Sequence, residues 1–388
     1  MKNKKLLLGV SGGIAIYKSL ELLSMLKKDD WDLTVIMTES ASRMISPILF
    51  ETMGRCKVYT DTFVRDDNKV LHIDLTKDAD LFLIAPATAN IMAKCANGIA
   101  DDLLSTTLLA SYCPIVFAPT MNTRMLDNPA TVENMKKLRE RGSLFIDSSD
   151  GFLACNEVGK GRMAEAREIL DHLNYLTSKK DLQGKKIIVT AGPTIEEIDP
   201  VRYIANRSSG KQGYELALNA RNRGAEVVLV MGQTHLEKLK GAKNYICKTN
   251  EEMKNAIAGE FEDADALIMA SAPMDFKIDH YSPVKIKKTS DFSLKLKKNI
   301  DILSHFGKIK KGQVLIGFAA ETNNLEEYAR KKLEDKNLDY IVANDVSKEG
   351  AGFGSETNIA SIISKDEKKD LPKMLKSELA NVILDKLV

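Results

Sequence analysis

Lys5-Leu-Leu-Leu-Gly-Val10-Ser-Gly-Gly-Ile14-Ala-Ile-Tyr-Lys18-Ser-Leu-Glu-Leu-Leu-Ser-Met-Leu-Lys27 carries the pattern from which the rest of the fold is read. Lys5 to Val10 is an apolar run of strand length, Ser11-Gly12-Gly13 is a turn, and from Ile14 to Lys27 apolar residues recur three and four apart. The order is strand, glycine loop, helix. Leu33 to Met37, Leu81 to Ala85 and Ile115 to Ala118 repeat the continuous apolar strand. Ala87 to Ala96 and Asn128 to Arg141 read as helices, the second closed by Gly142. Strands apolar on both faces, alternating with helices, predict a parallel, doubly wound α/β sheet.

After a helix expected from Met163 to Thr177, the polar stretch Ser178 to Gly184 interrupts the pattern and marks a domain boundary. The plan then restarts, with strand Lys185 to Thr190, loop Ala191-Gly192-Pro193-Thr194, helix Gln212 to Arg223 and strand Glu226 to Met231. Asp263-Ala-Asp-Ala-Leu-Ile-Met-Ala-Ser-Ala-Pro273 echoes Asp78-Ala-Asp-Leu-Phe-Leu-Ile-Ala-Pro-Ala87. In each, an apolar strand opens into a loop of small residues, where ligands of such sheets sit. The lysine-rich stretch Lys285 to Lys298 reads as an exposed ribbon or flap.

A length of 388 residues suits two or three domains. With 56 basic against 54 acidic residues, the chain has no one-sided field for holding a nucleic acid. Its five cysteines are widely spaced without CxxC, and its five histidines form no cluster, which argues against disulfides and structural zinc. The basic, then apolar, start copies a signal peptide only superficially, since Gly12-Gly13 and Lys18 interrupt it. No run reaches the roughly 18 apolar residues of a membrane span. A cytoplasmic protein without nucleic-acid or membrane partners is expected.

None of the Gly-Lys pairs is followed by Ser or Thr, so a Walker loop is absent. The spacing at Ser11-Gly12-Gly13 is not GxGxxG. A tight turn and a phosphate cradle at a helix N-terminus both remain open there. A dinucleotide reductase would need that fingerprint and its acidic partner. His72 is by default a loop histidine with a pKa suited to acid-base work. Ala85-Pro-Ala-Thr-Ala-Asn90 and Ala118-Pro-Thr-Met-Asn122 offer small side chains and amides to a flat ring.

In order, Gly12-Gly13, His72-Ile-Asp-Leu75, Ala85 to Asn90, Pro119-Thr-Met-Asn-Thr-Arg-Met125 and Leu153-Ala-Cys155 with Gly159-Lys-Gly-Arg-Met163 resemble the flavin-containing phosphopantothenoylcysteine decarboxylases. The second half resembles phosphopantothenate-cysteine ligase through Thr190 to Thr194, Asp199-Pro-Val-Arg-Tyr203, Asn206-Arg-Ser-Ser-Gly210, Lys285-Ile-Lys-Lys288, Gly317 to Thr322, Asn344-Asp-Val346 and Gly352-Phe-Gly-Ser355. Leu126, Asn156-Glu157, Ala166 and Gln212 depart from the pattern without removing a reactive group.

The resemblance implies two doubly wound domains, a flavodoxin-like FMN-dependent decarboxylase domain over 1–180 and a Rossmann-like CTP-dependent ligase domain over 184–388. It implies that Ser11, Gly12 and Gly13 hold the FMN phosphate, with Ala87, Thr88, Ala89 and Asn90 beside the flavin. His72 would be the acid or base near the substrate carboxylate, Asn122 its hydrogen-bond partner, and Cys155 a late proton donor. FMN would oxidise the thiol to a thioaldehyde, making CO2 loss feasible, and then reduce the resulting enethiol. In the second half, 4'-phosphopantothenate would attack CTP and cysteine would displace CMP. Asn206 would steady the acyl-phosphate and Lys285 would assist the amine. Asp275, Asn299, Ile300, Asp301, Ile302, Phe318, Lys332 and Lys336 would meet CTP, with Mg2+ on the phosphates. Trimeric decarboxylase units joined by ligase dimers are the implied homo-oligomer.

Overall fold

Short apolar runs closed by glycine or a polar turn become strands, and strands apolar on both faces require cover on both sides. The structure, a computed structural model, describes residues 4–63, 70–147, 149–152, 158–287, 293–321, 324–345 and 354–388. It divides into two units, Met1–Thr177 and Ser178–Val388.

In the first unit, β1 (Lys5–Val10), β2 (Asp32–Met37), β3 (Lys57–Tyr59), β4 (Leu81–Ala87), β5 (Ile115–Pro119) and β6 (Leu144–Phe145) form one parallel sheet. Leu6, Leu8 and Val10 enter one core layer, closed by Leu22, Leu23 and Leu26 of helix Ile16–Lys28 and by Ile169 and Leu173 of helix Ala166–Thr177. Leu7, Phe82 and Ile84 enter the opposite layer, against Ile91 of helix Ala89–Asn97 and Leu104 of helix Leu103–Leu109. Alternation of side chains along each strand supplies both layers. The strand order is β3-β2-β1-β4-β5-β6.

This is the doubly wound class expected: apart from β3 the strands run β2-β1-β4-β5-β6, the flavodoxin-like order 2-1-3-4-5. β3 is an added edge strand, three residues long and too short to show as a strand in the sequence. It extends the edge beyond β2 before the chain crosses back over β1. The order therefore reverses between β1 and β4, and the loops leaving those strands open a crevice at their carboxyl ends. Beside the sheet, β7 (Ser149–Phe152) and β8 (Val158–Arg162) make an antiparallel hairpin.

The second unit contains β9 (Lys186–Ala191), the ribbon of β10 (Ile195–Glu197) and β11 (Tyr203–Ala205), β12 (Glu226–Met231), β13 (Lys243–Ile246), β14 (Ala266–Met269), the ribbon of β15 (Phe276–Ile278) and β16 (Leu296–Lys298), β17 (Val314–Glu321), β18 (Tyr340–Asp345), β19 (Thr357–Asn358), β20 (Ala360–Ile363) and β21 (Lys368–Asp370). Its main sheet runs β13-β12-β9-β14-β17-β18-β20-β21. The first six strands are parallel and repeat the plan of the first unit around β9. The last two are antiparallel, and the edge strand Lys368-Lys369-Asp370 is exposed and charged, which blunts edge pairing.

The sequence echo is a structural one. Asp80 takes the Lys5 N–H on Oδ2 at 2.7 Å and gives its own N–H to Lys5 O at 2.9 Å. Asp265 does the same with Lys186, at 2.7 and 2.8 Å. Each aspartate fixes the start of the strand that follows it against the central strand of its sheet. One sequence expectation changes. His72 lies in a helix, Leu71–Lys77, rather than a loop. Of the lysine-rich stretch, 288–292 lie outside the described residues, and β16 forms a two-stranded ribbon with β15.

Candidate active sites

In the first unit, Ser11 is buried at the end of β1. Its Oγ donates to Pro86 O at 2.7 Å, lies 3.1 Å from Thr88 Oγ1 and accepts the Thr88 N–H at 3.2 Å. The loops leaving β1 and β4 are thus tied across the crevice. A Cβ on Gly12 would fall 2.5 Å from Ser40 Cβ, so packing against Ser40 already requires that glycine. Gly13 faces Thr88, Thr120 and Pro86 with ordinary clearance. Helix Ile16–Lys28 starts behind this loop with no acidic residue in its first turn and no side-chain cap. The positive end of its dipole is uncompensated, and the loop suits a phosphate.

Thr88 caps helix Ala89–Asn97, and Asn90 is exposed beside it. Ala87 is wholly buried in the core, so that residue offers a ligand only its backbone. Thr120 N donates to Ala87 O at 3.1 Å, bringing the loop after β5 alongside. Asn122 caps helix Thr123–Leu126, its Oδ1 accepting Arg124 N at 2.8 Å. Next to it the hairpin docks, with Met121 N donating to Gly161 O at 3.0 Å and Thr123 Oγ1 to Lys160 O at 2.7 Å. His72 is half-buried in the first turn of its helix, and among the described residues no hydrogen bond joins it to Asn122 or to the Ser11 loop. Cys155 lies outside the described residues. Burial raises the thiols of Cys56, Cys95 and Cys247 to about 11, which leaves them protonated at neutral pH.

In the second unit a cavity of about 430 Å³ opens where the strand order reverses between β9 and β14. Asn206, Asp275, Ile300, Asp301, Ile302, Phe318, Lys332 and Lys336 all line it. Asn206 Nδ2 donates to Pro273 O at 2.9 Å, binding its loop to the one after β14. Asn299 stands just behind the wall, giving its N–H to Asp275 O at 2.8 Å and its Nδ2 to Glu196 Oε1 at 2.7 Å. Burial raises the Glu196 pKa, against the lowering effects of Asn299 and Lys277. Lys336 already pairs with Asp301 at 2.9 Å. Burial pushes the Asp301 carboxyl up, but the Ser304 N–H and Lys336 more than offset it and hold it below the usual range.

Lys285 is exposed and outside the cavity wall. The peptide of its neighbour Ile286 is clasped from both sides: its N–H reaches Asp199 Oδ2 at 3.2 Å and its C=O takes Arg202 Nη2 at 2.7 Å. Asp199 is buried, and Arg202 above all holds its carboxyl well below the carboxylate range.

Several residues lining the cavity escape sequence reasoning. Asn250, 1% exposed, accepts from Thr194 Oγ1 at 2.6 Å and donates to Met274 O at 2.9 Å and Ile300 O at 3.1 Å. Lys211 and Lys376 also line the cavity, and burial, then Lys211, lowers the Lys376 pKa. With Arg207, Lys332 and Lys336 they outnumber Asp275 and Asp301, so the wall favours a polyanion. The only signal for Lys211 was its place directly after Asn206-Arg-Ser-Ser-Gly210. Among the described residues no three His, Cys, Asp or Glu side chains form a metal-binding group, and no helix is long and apolar enough to cross a membrane.

Residues 1–178 match the Flavoprotein family, and residues 182–388 match the DNA/pantothenate metabolism flavoprotein C-terminal domain family. The coenzyme A biosynthesis bifunctional protein CoaBC of Bacillus subtilis is 46% identical over 395 residues, covering 100% of this chain and 97% of its own. That of Borreliella burgdorferi is 42% identical over 388 residues, covering 99% and 98%. Among solved structures, the C-terminal domain of a coenzyme A biosynthesis bifunctional protein CoaBC is 40% identical over 53% of this chain and 95% of its own, with a TM-score of 0.46. Matched end to end by such relatives, and family by family in its two halves, the chain belongs to the bifunctional coenzyme A biosynthesis protein family.

Proposed function

We propose that the chain catalyses two successive steps of coenzyme A biosynthesis. The second unit, with its ligase domain over 184–388, couples 4'-phosphopantothenate to cysteine through an acyl-CMP intermediate using CTP. The first, with its decarboxylase domain over 1–180, decarboxylates 4'-phosphopantothenoylcysteine to 4'-phosphopantetheine with FMN. The observation that carries the reading is the basic cavity at the switch point of the second unit, where Asn206 and seven of the eight residues expected to meet CTP line one wall.

In that cavity the lysines hold the triphosphate. Asn206, fixed by Pro273 O, steadies the acyl-phosphate, and Lys285, on a segment clasped at Ile286, assists the cysteine amine. Asp275 at the exposed mouth is the carboxylate nearest to hand for Mg2+, whose remaining ligands would be phosphate oxygens and water. In the first unit the Ser11 to Gly13 backbone fits one phosphate, and Thr88 and Asn90 border the space above it. The chemistry a bound FMN supplies is reversible two-electron redox, which gives the substrate carboxylate a neighbouring electron sink. His72 moves a proton near that carboxylate, Asn122 hydrogen-bonds it, and Cys155 protonates the enethiol at the end.

A cytoplasmic homo-oligomer, with trimers of the first unit linked by dimers of the second, is the assembly the family resemblance implies. The flavin tests the reading first. Purified protein should be yellow and release FMN on denaturation. Release of FAD, or no chromophore after supplying FMN, would refute the assignment of the Ser11 loop.

A further inference from the structure

Glu196 stands on β10, half-buried and outside the cavity wall of the second unit. Burial raises its pKa, and the lowering effects of Asn299 and Lys277 offset only part of that. A carboxylate in such a place is kept charged at neutral pH at a cost to folding. An uncharged side chain of similar size would fold as well or better, so stability does not account for the residue.

What the carboxylate does is orient an amide. Its Oε1 accepts Asn299 Nδ2 at 2.7 Å, and Asn299 Oδ1 accepts the Ile300 N–H at 2.9 Å. A carboxylate only accepts, and a peptide N–H only donates. Turning the amide over would set oxygen against oxygen at Glu196 and NH2 against N–H at Ile300. A charged Glu196 therefore leaves Asn299 one orientation.

The cavity wall hangs from that amide. Ile300 is held on one side by Asn299 Oδ1 at its N–H and on the other by Asn250 Nδ2 at its C=O, 3.1 Å away. Ile300, Asp301 and Ile302 follow one another along the cavity. Asp301 starts helix Ile302–Ile309, its Oδ1 accepting the Ser304 N–H at 3.0 Å while Oδ2 meets Lys336 at 2.9 Å.

We infer that Glu196 is a positioning residue for nucleotide binding, orienting Asn299 and through it the wall from Ile300 to Ile302. The inference rests on the CTP-dependent reading of the second unit given above.

The test uses the full chain, comparing wild type with Glu196→Leu, Glu196→Gln, Asn299→Ala and the Glu196→Leu, Asn299→Ala double variant. Pyrophosphate release with 4'-phosphopantothenate, cysteine and Mg2+ gives the KM for CTP and kcat. Glu196→Leu offers Asn299 no acceptor and should raise KM about tenfold, with kcat changed less than about threefold and Tm not lowered. Glu196→Gln restores an acceptor oxygen, and KM should return to within about threefold of wild type. In the Asn299→Ala background, Glu196→Leu should add less than about twofold, because it acts through that amide. Without nucleotide, hydrogen exchange of the Ile300 amide should quicken about tenfold in Glu196→Leu. An unchanged KM in Glu196→Leu, an undiminished effect in the Asn299→Ala background, or a Tm lower by several degrees in Glu196→Leu overturns the inference. If the Ile300 amide loosens as expected but wild type releases no pyrophosphate from CTP, the orientation of Asn299 stands and the ligase reading fails.

Discussion

Asn250 joins three loops of the second site with one buried side chain, and nothing in its sequence surroundings sets it apart from any other residue after a helix-capping threonine. Replacing it with alanine leaves the Thr194 hydroxyl proton and two carbonyls without this partner, although Thr194 Oγ1 still accepts the Met274 N–H. Asn250→Ala should cost about 2 kcal/mol or more and raise the KM for CTP, measured by thermal denaturation and pyrophosphate release; an unchanged KM would mean that the loops hold without it. The reactive residues were found through the resemblance to the ligases, motif by motif. Lys285 is one of these, yet it stands outside the cavity. Lys285→Gln should still release pyrophosphate and accumulate the acyl-CMP species, while amide formation falls by about 10²-fold. Equal loss in both half-reactions, followed with labelled CTP with and without cysteine, would remove the lysine from the second step.

At the scale of elements, long apolar strands were legible because burial on both faces leaves an uninterrupted apolar run, as in β1 and β4. Short elements were not. β3 has three residues, and helix Leu71–Lys77 is held by packing that seven residues cannot advertise. Missing β3 left out one edge strand of the first sheet and not its doubly wound plan. The β7–β8 hairpin was foreshadowed only by its glycines, and Gly161 shows why one of them is needed. Its φ is +121°, and a Cβ there would stand 2.2 Å from Met121 O. Gly161→Ala should destabilise the first unit by about 2 kcal/mol or more, a Tm lower by roughly 4–8 °C, with slower CO2 release. A Tm within a degree of wild type would show that the hairpin docks in some other way.

The whole molecule is the same α/β plan used twice, with Asp80 and Asp265 repeating one clasp at the foot of each sheet. That duplication was legible in the echo of two aspartate-led strands, whereas the antiparallel addition at the β18 edge was not, since short charged strands look like loops. The second unit also carries an acid-sensitive lock. Lys243, then Tyr245 at 2.5 Å, with Lys186 at 2.9 Å, hold Glu260 down to about 2. Because this folded value lies below the unfolded carboxylate range of about 4.3, the stabilisation is complete above that range and is lost as pH falls through about 2. The Tm of the full chain should therefore drop between about pH 5 and pH 2, and less steeply in Glu260→Gln; identical slopes would acquit Glu260. The claim that both units serve one pathway is tested most directly by incubating the FMN-loaded chain with 4'-phosphopantothenate, cysteine, CTP and Mg2+ and following all species by mass spectrometry. Pyrophosphate should appear first, then CMP together with 4'-phosphopantothenoylcysteine, which rises and then falls as 4'-phosphopantetheine and CO2 accumulate; CTP left intact, or an amide product that is never decarboxylated, would contradict the account.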